Sequence, residues 1–215
     1  MNINILSILA ANTEPVTSWF GLLTKGGIIM IPIILLSFFS IYLFIERFLY
    51  ISKAATINDR MFESVTGELK DGHPDRAIVH ARKDTTSAGR ILESGLSRIG
   101  RSAQEVESSL ETATNLEITK MEKNTGYLGI VAGVAPMLGF IGTISGVIKI
   151  FYSISLSDNI SIGIISGGLY QKMICSGAGL IVGVVAYSAY HVLQMKIDRY
   201  TISLQERLLN FLNSI

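Results

Sequence analysis

The sequence predicts an all-α integral membrane protein with three transmembrane helices and a helical cytoplasmic domain between the first two. Its 215 residues are 49% hydrophobic and only 16% charged, and a mean hydropathy of +0.45 is too apolar for an ordinary soluble domain. Thr125–Ile148 contains no Asp, Glu, Lys, Arg or His, and residues 173–195 contain no Asp, Glu, Lys or Arg. Each segment can cross a bilayer core of about 30 Å, which needs about 20 helical residues.

Residues 1–25 are expected to form a short amphipathic arm on the periplasmic side, ahead of the first span. The first 24 residues contain no Lys or Arg, so they lack the basic region that starts a secretory signal peptide. The first span is predicted over residues 26–48, and Glu46-Arg47 forms its inner boundary. Pro32 lies near its outer end, where neighbouring groups or a local bend would have to satisfy the freed carbonyl.

Residues 49–124 form the one long polar segment and are predicted to be a helical cytoplasmic domain. They carry eleven of the 18 Lys and Arg residues. The positive-inside rule therefore places this segment and the C-terminal helix, residues 196–215, in the cytoplasm, with the N-terminus outside. Residues 152–171 would then form a periplasmic loop and the start of the third span.

Two helix starts are predicted within the polar segment. Pro74 follows Asp71-Gly72-His73 and suits the first turn of a new helix. Ser102 with Glu105 three residues later fits a capping box. No proline follows Ser102 until Pro136, which predicts one continuous helix from Ser102 into the second span.

The polar part of that helix carries a partial apolar stripe, and its glutamates are expected to keep the remaining surface solvated. The stripe either packs on shorter helices of the same domain or forms a contact between subunits. The stripe consists of Val106, Leu110, Ala113 and Met121, and the glutamates are Glu105, Glu107, Glu111, Glu117 and Glu122.

The second span is predicted over residues 125–151 and is rich in glycine, which lets membrane helices approach closely. At about 100° per residue, one narrow face of this helix is lined by small side chains and is polar only at Thr143. Two interpretations remain open: a packing face whose hydroxyl bonds to its own helix, or a pore wall at which Thr143 contacts water or protons. The face consists of Ala132, Pro136, Gly139, Thr143 and Gly146.

The third span is predicted over residues 172–195. Lys172, Ser176, Gly179 and Gly183 share one face of this helix. Lys172 is expected near the outer interface, where its ammonium group either snorkels to the surface or serves a function. The single cysteine, Cys175, excludes an intrachain disulfide.

The sequence offers no soluble enzyme site, cofactor site or metal site. His73 and His80 lie across a proline break without further ligands at metal-binding spacing, and no phosphate-binding, hydrolase or protease motif occurs. A net charge of +1 provides no basic excess for nucleic acid. The three spans contain no carboxylate apart from Glu46 at the inner boundary of the first, and a proton relay normally uses Asp, Glu or His. If this chain conducts protons, the titrating group must come from another chain.

The segment APMLGFIGTISGVIKIF, Ala135–Phe151, resembles the second membrane segment of the MotA/TolQ/ExbB proton-channel family, where the pattern is roughly A-P-x-x-G-L-x-G-T-V-x-G-x-x-x-x-F. The resemblance extends over residues 20–200. It is similar to the ExbB/TolQ branch, because a MotA-like subunit would normally be longer and have four spans. The matching positions are Ala135, Pro136, Gly139, Gly142, Thr143, Gly146 and Phe151.

The third segment resembles the family pattern A-E-A-L-L-A-T-A-I-G-L, with differences at its polar positions. Ser176 stands at the position of a pore-facing threonine and keeps a hydroxyl group. Gln171 stands at the glutamate position and cannot titrate, while Lys172 adds a charge at a small-residue position.

The resemblance implies an inner-membrane stator subunit that converts proton motive force into mechanical work, with no enzymatic activity and no cofactor. It also implies a homo-oligomeric ring, commonly a pentamer, around an ExbD/TolR-like single-span partner with one membrane aspartate, acting on a TonB- or TolA-like protein. Thr143 and Ser176 would line the ion path, and Gln171 and Lys172 would shape its outer mouth. The helix-packing positions would be Pro136, Gly139, Gly142, Gly146, Gly179 and Gly183.

Two other classes of function compete with this one. A non-conducting membrane scaffold would use the same small-residue faces to anchor partner helices, and Gln171 and Lys172 favour it. A secondary transporter is disfavoured, since three spans carry no internal repeat or pair of broken helices.

Overall fold

The computed structural model describes residues 27–156 and 162–213, apart from the side chains of Ile164 and Gln171. The predicted arm over residues 1–25 lies outside this part of the chain. The regular structure of the described residues is α-helical, which confirms the all-α class, and three helical segments are long and apolar enough to cross a membrane. The helices are α1 (Met30–Ala54), α2 (Asp59–Lys70), α3 (Pro74–Lys83), α4 (Ser87–Leu96), α5 (Ala103–Glu122), α6 (Thr125–Leu156) and α7 (Ile162–Leu212).

The first apolar helix, α1, starts later and ends later than the predicted span. Gly27 before it has a left-handed φ of 78°, and the helix then continues to Ala54. Pro32 is the third residue of α1, within the first turn, where backbone N–H groups have no intrahelical acceptor. The proline therefore frees no carbonyl group, and the local bend anticipated from the sequence is unnecessary.

Both predicted helix starts in the polar segment are confirmed. Pro74 is the first residue of α3. Ser102 caps α5, since its Oγ accepts a hydrogen bond from the Glu105 backbone N–H at 3.3 Å. In addition, the Ser102 hydroxyl donates to the Glu105 carboxylate at 3.4 Å. These contacts satisfy a backbone donor that the helix itself leaves unpaired.

The prediction of one continuous helix from Ser102 into the second span is wrong. Helix α5 ends at Glu122 and α6 begins at Thr125. Lys123 has φ −51° and ψ 130°, and Asn124 lies in the left-handed region with φ 67°. Asparagine tolerates this conformation better than most side chains, so an interruption needs neither proline nor glycine.

The chain divides into two compact units, and α1, α6 and α7 contribute residues to both. The first unit contains the described residues up to Phe39 and Val131–Val185. The second contains Ser40–Ile130 and the described residues from Ala186 onward.

The second unit has an apolar core built from all seven helices. Ile51, Val65, Ile91 and Leu204 are fully buried in it. The Ser87 hydroxyl at the start of α4 donates to the Ala54 carbonyl at the end of α1, at 2.8 Å. Burial raises the pKa of the Tyr200 phenol in this unit to about 12.

The apolar stripe of α5 is buried within this unit. Val106, Leu110 and Met121 are at most 3% exposed, and the core they join also includes residues of α4 and α7. Packing on the chain's own helices therefore accounts for the stripe without a subunit contact. The expectation that Glu117 keeps the surface solvated is wrong, because this residue is only 4% exposed.

Candidate functional site

The residues predicted to line an ion path lie in the first unit, along the contact between α6 and α7. The two helices run antiparallel there: Gly183 of α7 faces Ala132 and Pro136 of α6, and Lys172 faces Gly146. A contact of this kind follows from small side chains on both helix faces.

Three glycines bring the two backbones together near the middle of the contact. A Cβ atom at Gly139 would lie 3.1 Å from the Ser176 Cα atom, and one at Gly179 would lie 2.5 Å from the Ala135 carbonyl oxygen. At Gly183 the same atom would lie 2.5 Å from the Pro136 Cγ atom. A larger side chain at these positions would therefore push the helices apart.

Gly142 makes room for a side chain of the facing helix. The Cys175 Sγ atom would lie 2.8 Å from a Cβ atom at Gly142, and the Ile29 side chain would lie 3.7 Å away. Cys175 is fully buried. The space beside the small residues of α6 is therefore occupied by α7 and by the residues just before α1.

Thr143 lies on α6, one turn from both Gly139 and Gly146. Its side chain is half-buried, and its hydroxyl donates to the Phe140 carbonyl at 2.6 Å. The acceptor is the i−3 carbonyl of the same helix. The hydroxyl proton is engaged within the helix, while the oxygen lone pairs remain able to accept a hydrogen bond from water or a partner.

Ser176 lies on α7, one turn after Lys172, with its backbone packed against Gly139. It is half-buried. A hydroxyl group both donates and accepts, so Ser176 can orient a water molecule. Like Thr143, it cannot hold a proton near neutral pH.

Lys172 is placed differently from a surface lysine that reaches outward. A Cβ atom at Gly146 would lie only 1.8–2.3 Å from the Cε, Cδ and Cγ atoms of Lys172, so the aliphatic chain of the lysine lies across this glycine. Lys172 lines a cleft of about 550 Å³ together with Ser145, Lys149 and Ser153. The side chain of Gln171, predicted beside it at the pore mouth, lies outside the described part of the structure.

The cleft carries positive charge without a matching carboxylate. The first unit contains Lys149 and Lys172, and the residues described for it include no Asp or Glu. The described residues also contain no cluster of His, Cys, Asp and Glu suited to a metal ion. The groups present can bind water or an anion.

A second polar cluster lies in the other unit and was missed by sequence reasoning. Arg90 donates to Glu117 Oε2 at 2.5 Å, and Lys120 donates to Glu117 Oε1 at 2.7 Å. Burial raises the pKa of the Glu117 carboxyl, but the hydrogen bonds from Arg90 and Lys120 outweigh it and hold the pKa below its usual value. The sequence does contain a sign that Glu117 is buried. It lies seven residues after Leu110 and four before Met121, which puts it on the apolar face of α5.

Arg47 forms a further contact at the end of the first apolar segment. Its guanidinium pairs with the neighbouring Glu46 carboxylate, and its Nη1 donates to the Lys120 carbonyl at 3.5 Å. It also lies over the Tyr50 ring, 5.1 Å from the centroid. Arg47 is 8% exposed. The arginine of the predicted boundary pair is therefore packed in the structure and is not freely solvated.

Three long apolar helices, two of them packed through glycines and carrying isolated hydroxyl groups, define a multi-pass helical membrane protein. The chain belongs to the MotA/TolQ/ExbB proton channel family, whose family model matches residues 83–206. The match includes the whole of α6 and most of α7.

Individual relatives place the chain in the ExbB/TolQ-like branch. It is 24% identical to a biopolymer transport protein ExbB homologue from Methanothermobacter thermautotrophicus, over 86% of this chain and 67% of the relative. It is 26% identical to the biopolymer transport protein ExbB-like 3 of Synechocystis, over 74% of this chain and 77% of the relative. The Tol-Pal system protein TolQ of Haemophilus influenzae is 27% identical over 42% of this chain and 40% of its own length.

Proposed function

We propose that this protein is an inner-membrane stator subunit that conducts protons together with a single-span partner and converts proton motive force into mechanical work. The observation that carries the proposal is the α6–α7 contact, where Thr143 and Ser176 are half-buried hydroxyl residues in a glycine-rich face. Membership of a proton channel family supports the same assignment.

The proposed complex needs a titrating group from another chain. The first unit supplies hydroxyls and lysines but, among its described residues, no carboxylate. A membrane aspartate on an ExbD/TolR-like partner would accept and release the proton, and water held at Thr143 and Ser176 would connect it to both sides. We propose a homo-oligomeric ring, of the pentameric kind, around this partner.

The mechanical output would reach an outer-membrane-linked process through a TonB- or TolA-like protein. Names of the relatives support either branch, since they include biopolymer transport proteins and a Tol-Pal system protein. Proton passage would displace or rotate the partner relative to the ring, and the glycine contacts would keep α6 and α7 a rigid wall during that movement.

Replacing the Thr143 hydroxyl tests the proposal. In proteoliposomes that contain the complex purified from its native membrane, we expect Thr143→Ala to lower proton flux by about tenfold, because a hydrogen-bonding group worth about 1.4 kcal/mol is removed from the path. Thr143→Ser should retain most of the flux. A pH-sensitive dye inside the vesicles measures the rate.

Ser155 provides the matched control, because its hydroxyl donates to the i−3 carbonyl of Tyr152 at 2.8 Å on an exposed part of the same helix. Ser155→Ala should conduct as the wild type does. Equal proton flux in Thr143→Ala and wild type, with the complex assembled, would contradict a role of Thr143 in the ion path.

A non-conducting scaffold is the second candidate function. It is favoured by Lys172 and by the absence of a titratable side chain at position 171. A scaffold would assemble with its partner, show no proton flux in the wild type, and tolerate Thr143→Ala in cells. The same vesicle assay and a growth assay therefore separate the two functions.

A further inference from the structure

The half-buried residue Lys172 has no counter-charge among the described residues of its unit. Lys172 is the eleventh residue of α7, about 15 Å along the helix axis from Ile162. The helix around it is apolar, and a charged group in such a segment is costly unless it is paired. Side chains of this kind mark a functional contact more often than a packing contact.

The position of the side chain is fixed by the fold. Because the Cγ, Cδ and Cε atoms of Lys172 occupy the space beside Gly146, the aliphatic chain is held between α6 and α7. Lys172 also lines the cleft of about 550 Å³. Lys149 lines the same cleft but is exposed, whereas Lys172 is half-buried.

We propose that Lys172 forms an ion pair with a carboxylate on the membrane helix of the partner subunit, and that this pair holds the partner in the cleft. The inference rests on the proposed function and adds a specific contact to it. Charge complementarity selects the occupant: two lysines and two serines line the cleft, and the described part of the unit offers no carboxylate. An apolar helix with one Asp or Glu has the matching chemistry.

The pair gives Lys172 a different task from that of Thr143 and Ser176. The hydroxyls can order water along a path, while the ammonium group fixes where a carboxylate rests and favours its ionised form. Release of the carboxylate from Lys172 would then require its protonation or the arrival of another cation. Lys172 is thus a positioning residue for the proton carrier.

Carbodiimide cross-linking of the native complex tests the pair directly. In membranes that contain the full-length protein and its partner, a membrane-permeable carbodiimide activates carboxylates, and a lysine amine in contact with one forms an amide bond. We expect mass spectrometry to find Lys172 joined to an Asp or Glu in the apolar segment of a second, smaller chain. The cross-link should be absent in Lys172→Met and retained in Lys149→Met.

Asp158 of the same chain is the internal competitor. It lies in the segment between α6 and α7 that is outside the described residues. A cross-link from Lys172 to Asp158 would overturn the proposal, since the counter-charge would then come from the chain itself. Loss of the Lys172 cross-link in Asp158→Asn would overturn it for the same reason. A cross-link only from Lys149 would overturn it as well.

Proton flux supplies a second readout. We expect Lys172→Met to lower flux by about tenfold or more, because removal of one member of a shielded charge pair leaves the other uncompensated. Lys172→Arg, which keeps the charge, should stay within about threefold of the wild type, and Lys83→Met, an exposed control on α3, should have no effect. Equal losses in the Met and Arg variants would assign the effect to packing on Gly146 and overturn the ion pair.

The two proposals fail in different ways. If the wild-type complex conducts no protons, the proposed function fails, while the cross-link still decides the ion pair. If the complex conducts and Lys172→Met matches the wild type, the ion pair is refuted and the stator function stands.

Discussion

The carboxylate of Glu117 links α5 to α4 in the second unit through its ion pair with Arg90. Its side chain is 5% exposed, whereas those of Arg90 and Lys120 are 43% and 47% exposed. The carboxylate is thus shielded, and its two cations reach it from the surface. If the negative charge of Glu117 is removed, Arg90 and Lys120 lose the counter-charge that they share.

Glu117→Gln is expected to lower the melting temperature of the detergent-solubilised protein at pH 7 by about 4 °C, since charge-assisted hydrogen bonds contribute about 1.5–3 kcal/mol. Because the pKa of Glu117 is lowered on folding, its contribution is complete above the usual pKa of 4.5 and is lost as pH falls through the folded value. The difference between variant and wild type should therefore shrink below about pH 4.5.

Glu93 provides the control for this effect, because its ion pair with Arg82 is exposed. Surface pairs contribute little, so Glu93→Gln should change the melting temperature by less than about 2 °C. A Glu117→Gln difference that stays constant from pH 7 to pH 4 would argue against the ion pairs as its cause.

Lys172 and Gly146 show what the sequence can establish about a site and what it cannot. Helical spacing placed Lys172 on one face with Ser176 and Gly179, and the family pattern selected Gly146 separately. Neither indicates that the lysine chain lies over that glycine, because the pairing depends on the register between α6 and α7. Register is a tertiary property that periodicity within one helix does not contain.

At the scale of the element, the helices of this chain were predictable where a local signal marks them. Proline at the first position of α3 and the Ser102 cap of α5 are local chemistry, and both predictions are confirmed. The signal at Lys123-Asn124 is weaker, because asparagine tolerates the left-handed region but also occurs within many helices. The structure places Asn124 in the left-handed region with φ 67°, which the pattern within either helix does not indicate.

Substitutions at Asn124 distinguish a real break from a continuous helix. In the left-handed region glycine is unstrained, whereas Ala costs about 1 kcal/mol. We therefore expect Asn124→Gly to be at least as stable as the wild type and Asn124→Ala to be less stable, with melting temperatures about 3 °C apart.

Asn115, an exposed residue in the middle of α5, is the matched control. In a regular helix alanine is favoured over glycine by about 1 kcal/mol, so the order of the two variants should be reversed there. The same order at both positions would show that α5 and α6 form one helix.

At the scale of the whole molecule, composition and segment length were enough to predict the class of protein. Three apolar segments of sufficient length and one polar segment lead to a multi-pass helical protein by the physics of the bilayer alone. The division into two compact units was not predicted, because it depends on how α1, α6 and α7 continue beyond the apolar stretches. Charge predicts the side of the membrane on which each segment lies, since eleven of the 18 cations lie within residues 49–124.

This charge distribution leads to a prediction about orientation. By the positive-inside rule, the end of α6 should face the periplasm and the end of α3 should face the cytoplasm. Single cysteines at two exposed positions, introduced as Ser155→Cys and Lys83→Cys in a Cys175→Ala background, report on these two sides. In intact spheroplasts a membrane-impermeant thiol reagent should label the first variant and reach the second only after permeabilisation. The reverse pattern would place residues 49–124 in the periplasm. It would contradict the orientation that the positive-inside rule predicts, and this segment could not be a cytoplasmic domain of a stator.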